Sequence, residues 1–155
     1  MKRYAILLFL FLLTFSRPAR AGNTDTLQIL SATLHTPRSV HTATLLPDGT
    51  VLIAGGMTDN ERFLDDAELF DPVTGAFSVV GQMMEPRSTH AAILLDTGKV
   101  LLVGGYGQGR LASAELYDPD TKTFSFAGTM NAPREGFTAT LLNNGQVLIA
   151  GGYGR

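Results

Sequence analysis

The sequence predicts an all-β chain assembled from repeated four-stranded antiparallel units. Three observations carry that prediction. First, the line HTATLLPDGTVLIAGG at 41–56 returns as HAAILLDTGKVLLVGG at 90–105 and as FTATLLNNGQVLIAGG at 137–152. Second, the copies keep step: Gly55, Gly104 and Gly151 lie 49 and 47 residues apart, and AELFDPVTGAFS from Ala67 recurs 47 residues later as AELYDPDTKTFS from Ala114. Pro37-Arg38, Pro86-Arg87 and Pro133-Arg134 precede the three lines in turn. Phrases in one cyclic order with a period near 50 define a repeat architecture. Third, beyond the first residues no stretch holds a 3.6-residue apolar period over helical length.

The first element is set apart from the repeats. Lys2 and Arg3 precede the apolar run AILLFLFLLTF (Ala5 to Phe15), and ARA at 19–21 offers a small-x-small cleavage site before Gly22. An apolar core of this length suits a secretory signal and is short of the ~20 residues a membrane helix needs. Residues 1–21 are therefore expected to be a signal peptide, with an uncleaved anchor as the alternative. The protein is expected to be exported, periplasmic or secreted, with no stable membrane insertion after cleavage. Cleavage after Ala21 leaves eight basic and fourteen acidic residues, a net charge of −6. That sign argues against nucleic acid, which needs a basic face. The chain has no cysteine, so disulfides, thiolate metal sites and cysteine nucleophiles are excluded.

Each repeat then reads as four strands, a to d. HTATLL is rich in Thr and apolar residues, and Pro47-Asp48-Gly49 turns the chain into TVLIAGG. Asp-Gly between two β-prone runs signals a hairpin, because glycine accepts a positive φ. Thr97-Gly98 and Asn144-Gly145 hold the same place in the other copies. A polar stretch, MTDNERFLD or YGQGRLAS, leads to strand c, AELFD or AELYD. Asp71-Pro72 and Asp118-Pro119 end that strand, since proline has no N–H for a ladder. AFSVV and TFSFAG supply strand d. Strands a and b are apolar at nearly every position, which predicts cover on both faces. A four-stranded sheet covered on both faces by sheets like itself is a blade of a β-propeller.

These residues resemble the Kelch family of β-propellers. The resemblance rests on the Gly-Gly doublets (Gly55-Gly56, Gly104-Gly105, Gly151-Gly152), the aromatics Phe70 and Tyr117 on strand c and Phe77 and Phe124 on strand d. Arg38, Arg87 and Arg134 stand ahead of strand a as the family leads one to expect. The tryptophan usual on strand d is phenylalanine here, and His41 and His90 give way to Phe137. Both departures fit exported Kelch and galactose-oxidase-like propellers. The resemblance implies Kelch-type blades at 38–84 and 87–131 and a partial blade, strands a and b, at 134–155. Residues 22–37 form a lead-in whose TLQILSA segment (26–32) takes the place of a closing outer strand. The propeller is thus incomplete, with two full blades plus parts of others, and the stop at Arg155 reads as a truncated coding sequence.

The chemistry is sparse. Gly105-Tyr106-Gly107-Gln108-Gly109 lacks the following helix that a phosphate-binding loop requires, so it reads as a turn. His41 and His90 hold equivalent places in successive blades and do not converge on one metal, and the arginines are expected to pair with backbone carbonyls or with Glu68 and Glu115. No metal or cofactor is expected. The copper-radical chemistry of galactose oxidase needs a tyrosine crosslinked to cysteine, which is absent. Recognition is expected on the b-to-c loops, Met57 to Asp65 and Tyr106 to Ser113, which differ between blades on a rigid scaffold. The candidate ligand residues are Asp59, Asn60, Glu61, Arg62, Tyr106, Gln108 and Arg110, with the pre-strand Arg38, Arg87 and Arg134. The expected function is an exported scaffold binding a protein or glycan. The alternative is a fragment of a carbohydrate-active propeller enzyme, galactose oxidase-like or sialic acid mutarotase-like, whose catalytic residues lie elsewhere. Open blade faces are expected to drive self-association.

Overall fold

A computed structural model describes residues 32–154; the expected signal segment at 1–21 and most of the expected closing strand at 26–32 lie outside the described residues. Within that range every regular element is a strand: β1 (Thr42–Leu45), β2 (Val51–Ala54), β3 (Asp66–Asp71), β4 (Ala76–Gln82), β5 (Ala91–Leu94), β6 (Val100–Val103), β7 (Ser113–Asp118), β8 (Thr123–Thr129), β9 (Thr138–Leu141) and β10 (Val147–Ala150). They form two four-stranded antiparallel meanders, β1-β2-β3-β4 and β5-β6-β7-β8, and a two-stranded sheet, β9-β10. The fold class expected from the repeats is the one observed.

Turn chemistry sets the registers. At the first a–b turn the Gly49 N–H donates to the Leu46 carbonyl at 3.0 Å, and the Asp48 carboxylate accepts from the Thr50 N–H and hydroxyl at 2.9 and 2.7 Å. The turn fixes Leu45 opposite Val51 and Ala43 opposite Ile53. Leu95–Lys99 and Leu142–Gln146 repeat the backbone pattern. Strand c pairs next, with Ile53 opposite Glu68 in the first sheet and Leu102 opposite Glu115 in the second. A bulge in strand d, at Val80 opposite the Ala67–Glu68 step and at Ala127 opposite Ala114–Glu115, then bends that strand. The two extra residues of the first repeat fall in its b–c loop, because Gly55 to Ala67 is longer by two than Gly104 to Ala114.

The sheets stack face to face, with the inner strands β1, β5 and β9 side by side. Leu52, Ala54, Ala67 and Leu69 of the first sheet meet Val100, Leu102 and Tyr117 of the second. Leu101, Val103 and Ala114 of the second meet Phe137, Ala139, Val147 and Ile149 of the third. Each strand c aromatic packs on its strand d partner, Phe70 on Phe77 and Tyr117 on Phe124, at 4.9 Å between ring centroids. The expectation that strands a and b are covered on both faces needs correction. It describes β2 and β6, but β1, β9 and β10 alternate between half-buried and exposed. For β9 and β10 the reason is geometric: among the described residues no sheet lies on their far side, and Leu148 is 53% exposed.

Candidate functional site

The b–c loops and the d–a links emerge at one end of the sheets, and the a–b and c–d turns at the other. At the loop end, the pre-strand arginine clasps each four-stranded sheet. Arg38 Nη1 donates to the carbonyls of Gly55 and Asp66, both at 3.1 Å, joining the end of strand b to the start of strand c. Its Nη2 reaches Asp66 at 2.6 Å and Glu68 at 2.7 Å. Arg87 repeats the arrangement on Gly104 (2.8 Å), Ser113 (3.3 Å) and Glu115 (2.6 Å). The glutamate then holds the chain that leads into its own arginine. Glu68 accepts the N–H groups of His35 and Thr36, and Glu115 those of Met84 and Glu85. Burial pushes the Glu68 carboxyl up, but these N–H donors and Arg38 outweigh it and hold the group below its ordinary range.

The glycine doublets sit under the same clasp. Gly56 and Gly105 donate to the carbonyls of Arg87 and Arg134, each at 2.9 Å, so strand b of one repeat is bonded to the entry of the next. A side chain on Gly104 (φ 59°) would stand 2.8 Å from the Arg134 carbonyl and from the Phe137 ring. A side chain on Gly105 (φ 98°) would stand 2.5 Å from the Ser88 carbonyl. The first glycine thus answers to the neighbouring repeat and the second to its own. Two residues past each arginine, Val40, Thr89 and Gly136 all take a positive φ, of 48°, 49° and 62°. Thr89 donates to the Val40 carbonyl and Gly136 to that of Thr89, at 3.2 and 3.0 Å, linking the three repeats around the inner rim.

His90 fills the joint between the first two sheets, its Nε2 at 2.8 Å from the Thr42 hydroxyl. Burial, and next the Arg87 charge, lower its pKa to about 3, so it stands neutral at physiological pH. His41, at the equivalent place, is lowered for the same two reasons, burial and then Arg38. His90 is thus a packing residue of the joint, and among the described residues no group of three His, Cys, Asp or Glu converges as a metal set would.

Of the candidate ligand residues, Asp59, Asn60, Glu61 and Arg62 lie exposed at the tip of the first b–c loop, and Gln108 and Arg110 are exposed on the second. Tyr106 is half-buried because its ring meets Phe63 edge to face across the two loops, with centroids 5.4 Å apart. Arg110 extends to the next link and pairs with Glu135 at 2.8 Å. Arg38 and Arg87 depart from the ligand role considered for them: their side chains have no exposed surface and are committed to the clasps. Arg134 keeps only the Gly151 carbonyl, at 2.9 Å, among the described residues. Phe63 and Glu135 were not singled out by sequence. A large aromatic in an otherwise polar loop was the available signal for Phe63, whereas Glu135 had none. A groove of about 400 Å³ runs beside these loops, walled by Met84, Glu85, Pro86 and Gln108–Leu111.

Stacked four-stranded meanders, joined inner strand to inner strand and clasped by a recurring Arg–Glu pair, define the β-propeller class. The Kelch motif matches at residues 38–84 and 87–131, more than half of the chain, and the protein belongs to the Kelch family. No curated protein matches it. Kelch repeats generally mediate protein interactions, and the chain is an interaction scaffold of that kind.

Proposed function

We propose that the protein binds a protein ligand through the loop end of its first two blades, outside the cytoplasm. The observation that carries the reading is the Phe63–Tyr106 pair, which joins two otherwise unlike loops into one surface. Around it lie Arg62, Gln108 and the Arg110–Glu135 pair, giving an aromatic centre with a charged rim. Aromatic and arginine side chains dominate the energetics of protein interfaces. The buried clasps tie both ends of each loop together, which lowers the ordering cost of binding. Export rests on the N-terminal sequence alone. Mass spectrometry of the mature protein is expected to find Gly22 as the first residue, and an intact Met1 in a soluble cytoplasmic form would overturn it.

The binding surface is tested by affinity capture from the periplasmic or secreted fraction, with quantitative mass spectrometry. Three baits are compared: the unaltered chain, Phe63→Ala with Arg110→Ala, and Lys99→Ala at the opposite end. Ligands held through the loops are expected to fall at least tenfold with the double variant and to persist with Lys99→Ala. Identical capture by all three baits would overturn the assignment. The glycan and enzyme alternatives gain no specific support from the loop geometry.

A further inference from the structure

The two complete blades build their clasps from the same groups in exchanged places. In the first, Arg38 faces two carboxylates on strand c, Asp66 at 2.6 Å and Glu68 at 2.7 Å, and the residue ahead of Pro37-Arg38 is Thr36. In the second, strand c carries Ser113 where the first has Asp66, and Glu85 stands ahead of Pro86-Arg87 where the first has Thr36. The carboxylate has thereby moved from the sheet to the wall of the groove beside the second b–c loop. Ser113 Oγ donates to Glu85 Oε2, and Arg87 Nη2 donates to Ser113 Oγ at 3.3 Å but lies 3.9 Å from the Glu85 carboxylate. Arg87 is paired with Glu115 at 2.6 Å, and Arg110 on the same groove with Glu135 at 2.8 Å. One guanidinium therefore stands beside two carboxylates. The Glu85 side chain is 46% exposed, and its Oε1 has no partner among the described residues.

We infer that this groove is a socket for a basic side chain, and that its occupant is a lysine of the protein ligand proposed above, a reading on which the inference rests. A lysine lays its four-carbon stem along apolar surface while its ammonium reaches a charged partner. Met84, Pro86 and Leu111 supply that surface in a groove of about 400 Å³, and Met84, 66% exposed, has the pliancy to follow the stem. Glu85 supplies the charge. Its backbone N–H donates to Glu115 at 3.3 Å and its carboxylate is held by Ser113, so the anchor is in place before the ligand arrives. A charge-assisted bond to it is roughly twice as strong as a neutral one. With Oε2 engaged by Ser113, the fork of a guanidinium meets a single open oxygen, which the point charge of an ammonium suits better. An acidic side chain would meet Glu85 as a like charge, so the same residue rejects it.

NMR of the full chain with carbon-13 in the methionine methyl groups tests this, the Met84 signal being assigned by its loss in Met84→Leu. The probe is Nα-acetyl-lysine methylamide, and its control is Nα-acetyl-norleucine methylamide, which lacks only the ammonium. The Met84 methyl is expected to shift saturably with the lysine probe, at affinity at least fivefold above the norleucine control. Glu85→Gln is expected to remove that preference and Ser113→Ala to reduce it, with melting curves confirming both folds. Equal response to the two probes, no response at tens of millimolar, or a preference that survives Glu85→Gln would overturn the inference. Glu85→Gln as a fourth bait in the affinity capture separates the socket from the surface around it. Ligands that fall with Phe63→Ala and Arg110→Ala but hold undiminished with Glu85→Gln would overturn the socket and leave the surface standing. A carbodiimide cross-link from Glu85 to a lysine of a captured ligand would support it.

Discussion

Arg87 and Arg134 stand at the same place in successive repeats, behind the same Pro and before the same kind of strand. Arg87 is fully buried and bonded to two backbone carbonyls and to Glu115, whereas Arg134 holds one carbonyl among the described residues. Their flanking residues differ, with Glu85 and Ser88 beside one and Ala132 and Glu135 beside the other. The larger difference lies in what stands opposite: the second sheet has a strand c that returns a glutamate, and among the described residues the third sheet holds β9 and β10 without one. A complete Kelch motif therefore supplies both halves of the Arg–Glu clasp, the arginine ahead of strand a and the glutamate on strand c.

The most severe way to break the contrast is to truncate the two arginines. Arg87→Ala leaves Glu115 buried without its cation, and the loss expected is about 3–5 kcal/mol. Arg134 forms no ion pair among the described residues, and Arg134→Ala is expected to cost under about 1 kcal/mol. Urea denaturation of both variants measures the gap; equal costs would show that the clasp matters only through its backbone contacts.

The glycines sharpen the contrast next. Gly104→Val drives a side chain into the Arg134 carbonyl and the Phe137 ring at a positive φ, and about 3 kcal/mol is expected from overpacking and strain together. Gly151 has the same sequence context and a φ of 77°, but nothing lies within 4 Å of the added carbon. Gly151→Val is therefore expected to cost about 1 kcal/mol from the backbone alone. Thermal melts that rank the two equally would contradict the neighbour argument.

The third test uses pH. His90 is held neutral in the folded chain, with a pKa lowered from 6.5 to about 3, so between those values the unfolded chain binds a proton that the folded chain does not. Stability from this site is complete above about pH 6.5 and is lost steadily as the pH falls towards about 3. The loss by pH 5 is about 2 kcal/mol. The third repeat carries Phe137 at the equivalent position. His90→Phe is expected to flatten the stability profile across that window, and an unchanged slope would place the acid sensitivity elsewhere.

The smallest expected effect concerns Tyr117, whose hydroxyl is buried with no partner among the described residues, where the first sheet has Phe70. Burial first, then the charges of Asp48 and Asp118, raise its pKa to about 12, so the phenol stays protonated. Tyr117→Phe removes an unsatisfied group and is expected to stabilise by about 1 kcal/mol. A loss on denaturation would reveal a partner for the hydroxyl.

Much of the fold was legible because it is written in short-range signals. Asp48-Gly49 and its counterparts encode hairpins through turn geometry, and Asp71-Pro72 and Asp118-Pro119 end strand c by withdrawing a donor. The pairing of Arg38 with Glu68 and of Arg87 with Glu115 was also expected, since repetition exposed both partners. The candidate surface was less legible. The sequence marked its loops by their variability between repeats, but not the Phe63–Tyr106 contact, which depends on the stacking angle of two sheets. It also marked Arg38 and Arg87 as possible ligand contacts, because a one-dimensional pattern does not distinguish a recurring cation that faces solvent from one that faces its own sheet.

By itself, then, the sequence determined the strand order, the turn positions and the repeat phase, all of which follow from local backbone preference and periodicity. The tertiary structure alone decided which copy of each motif is satisfied. That is set by long-range neighbours: a carbonyl beside Gly104 and open space beside Gly151, a glutamate against Arg87 and an open cavity beside Arg134. Identical residues differ in burial and hydrogen bonding because desolvation and packing depend on what surrounds a group, and those surroundings come from stretches distant in sequence.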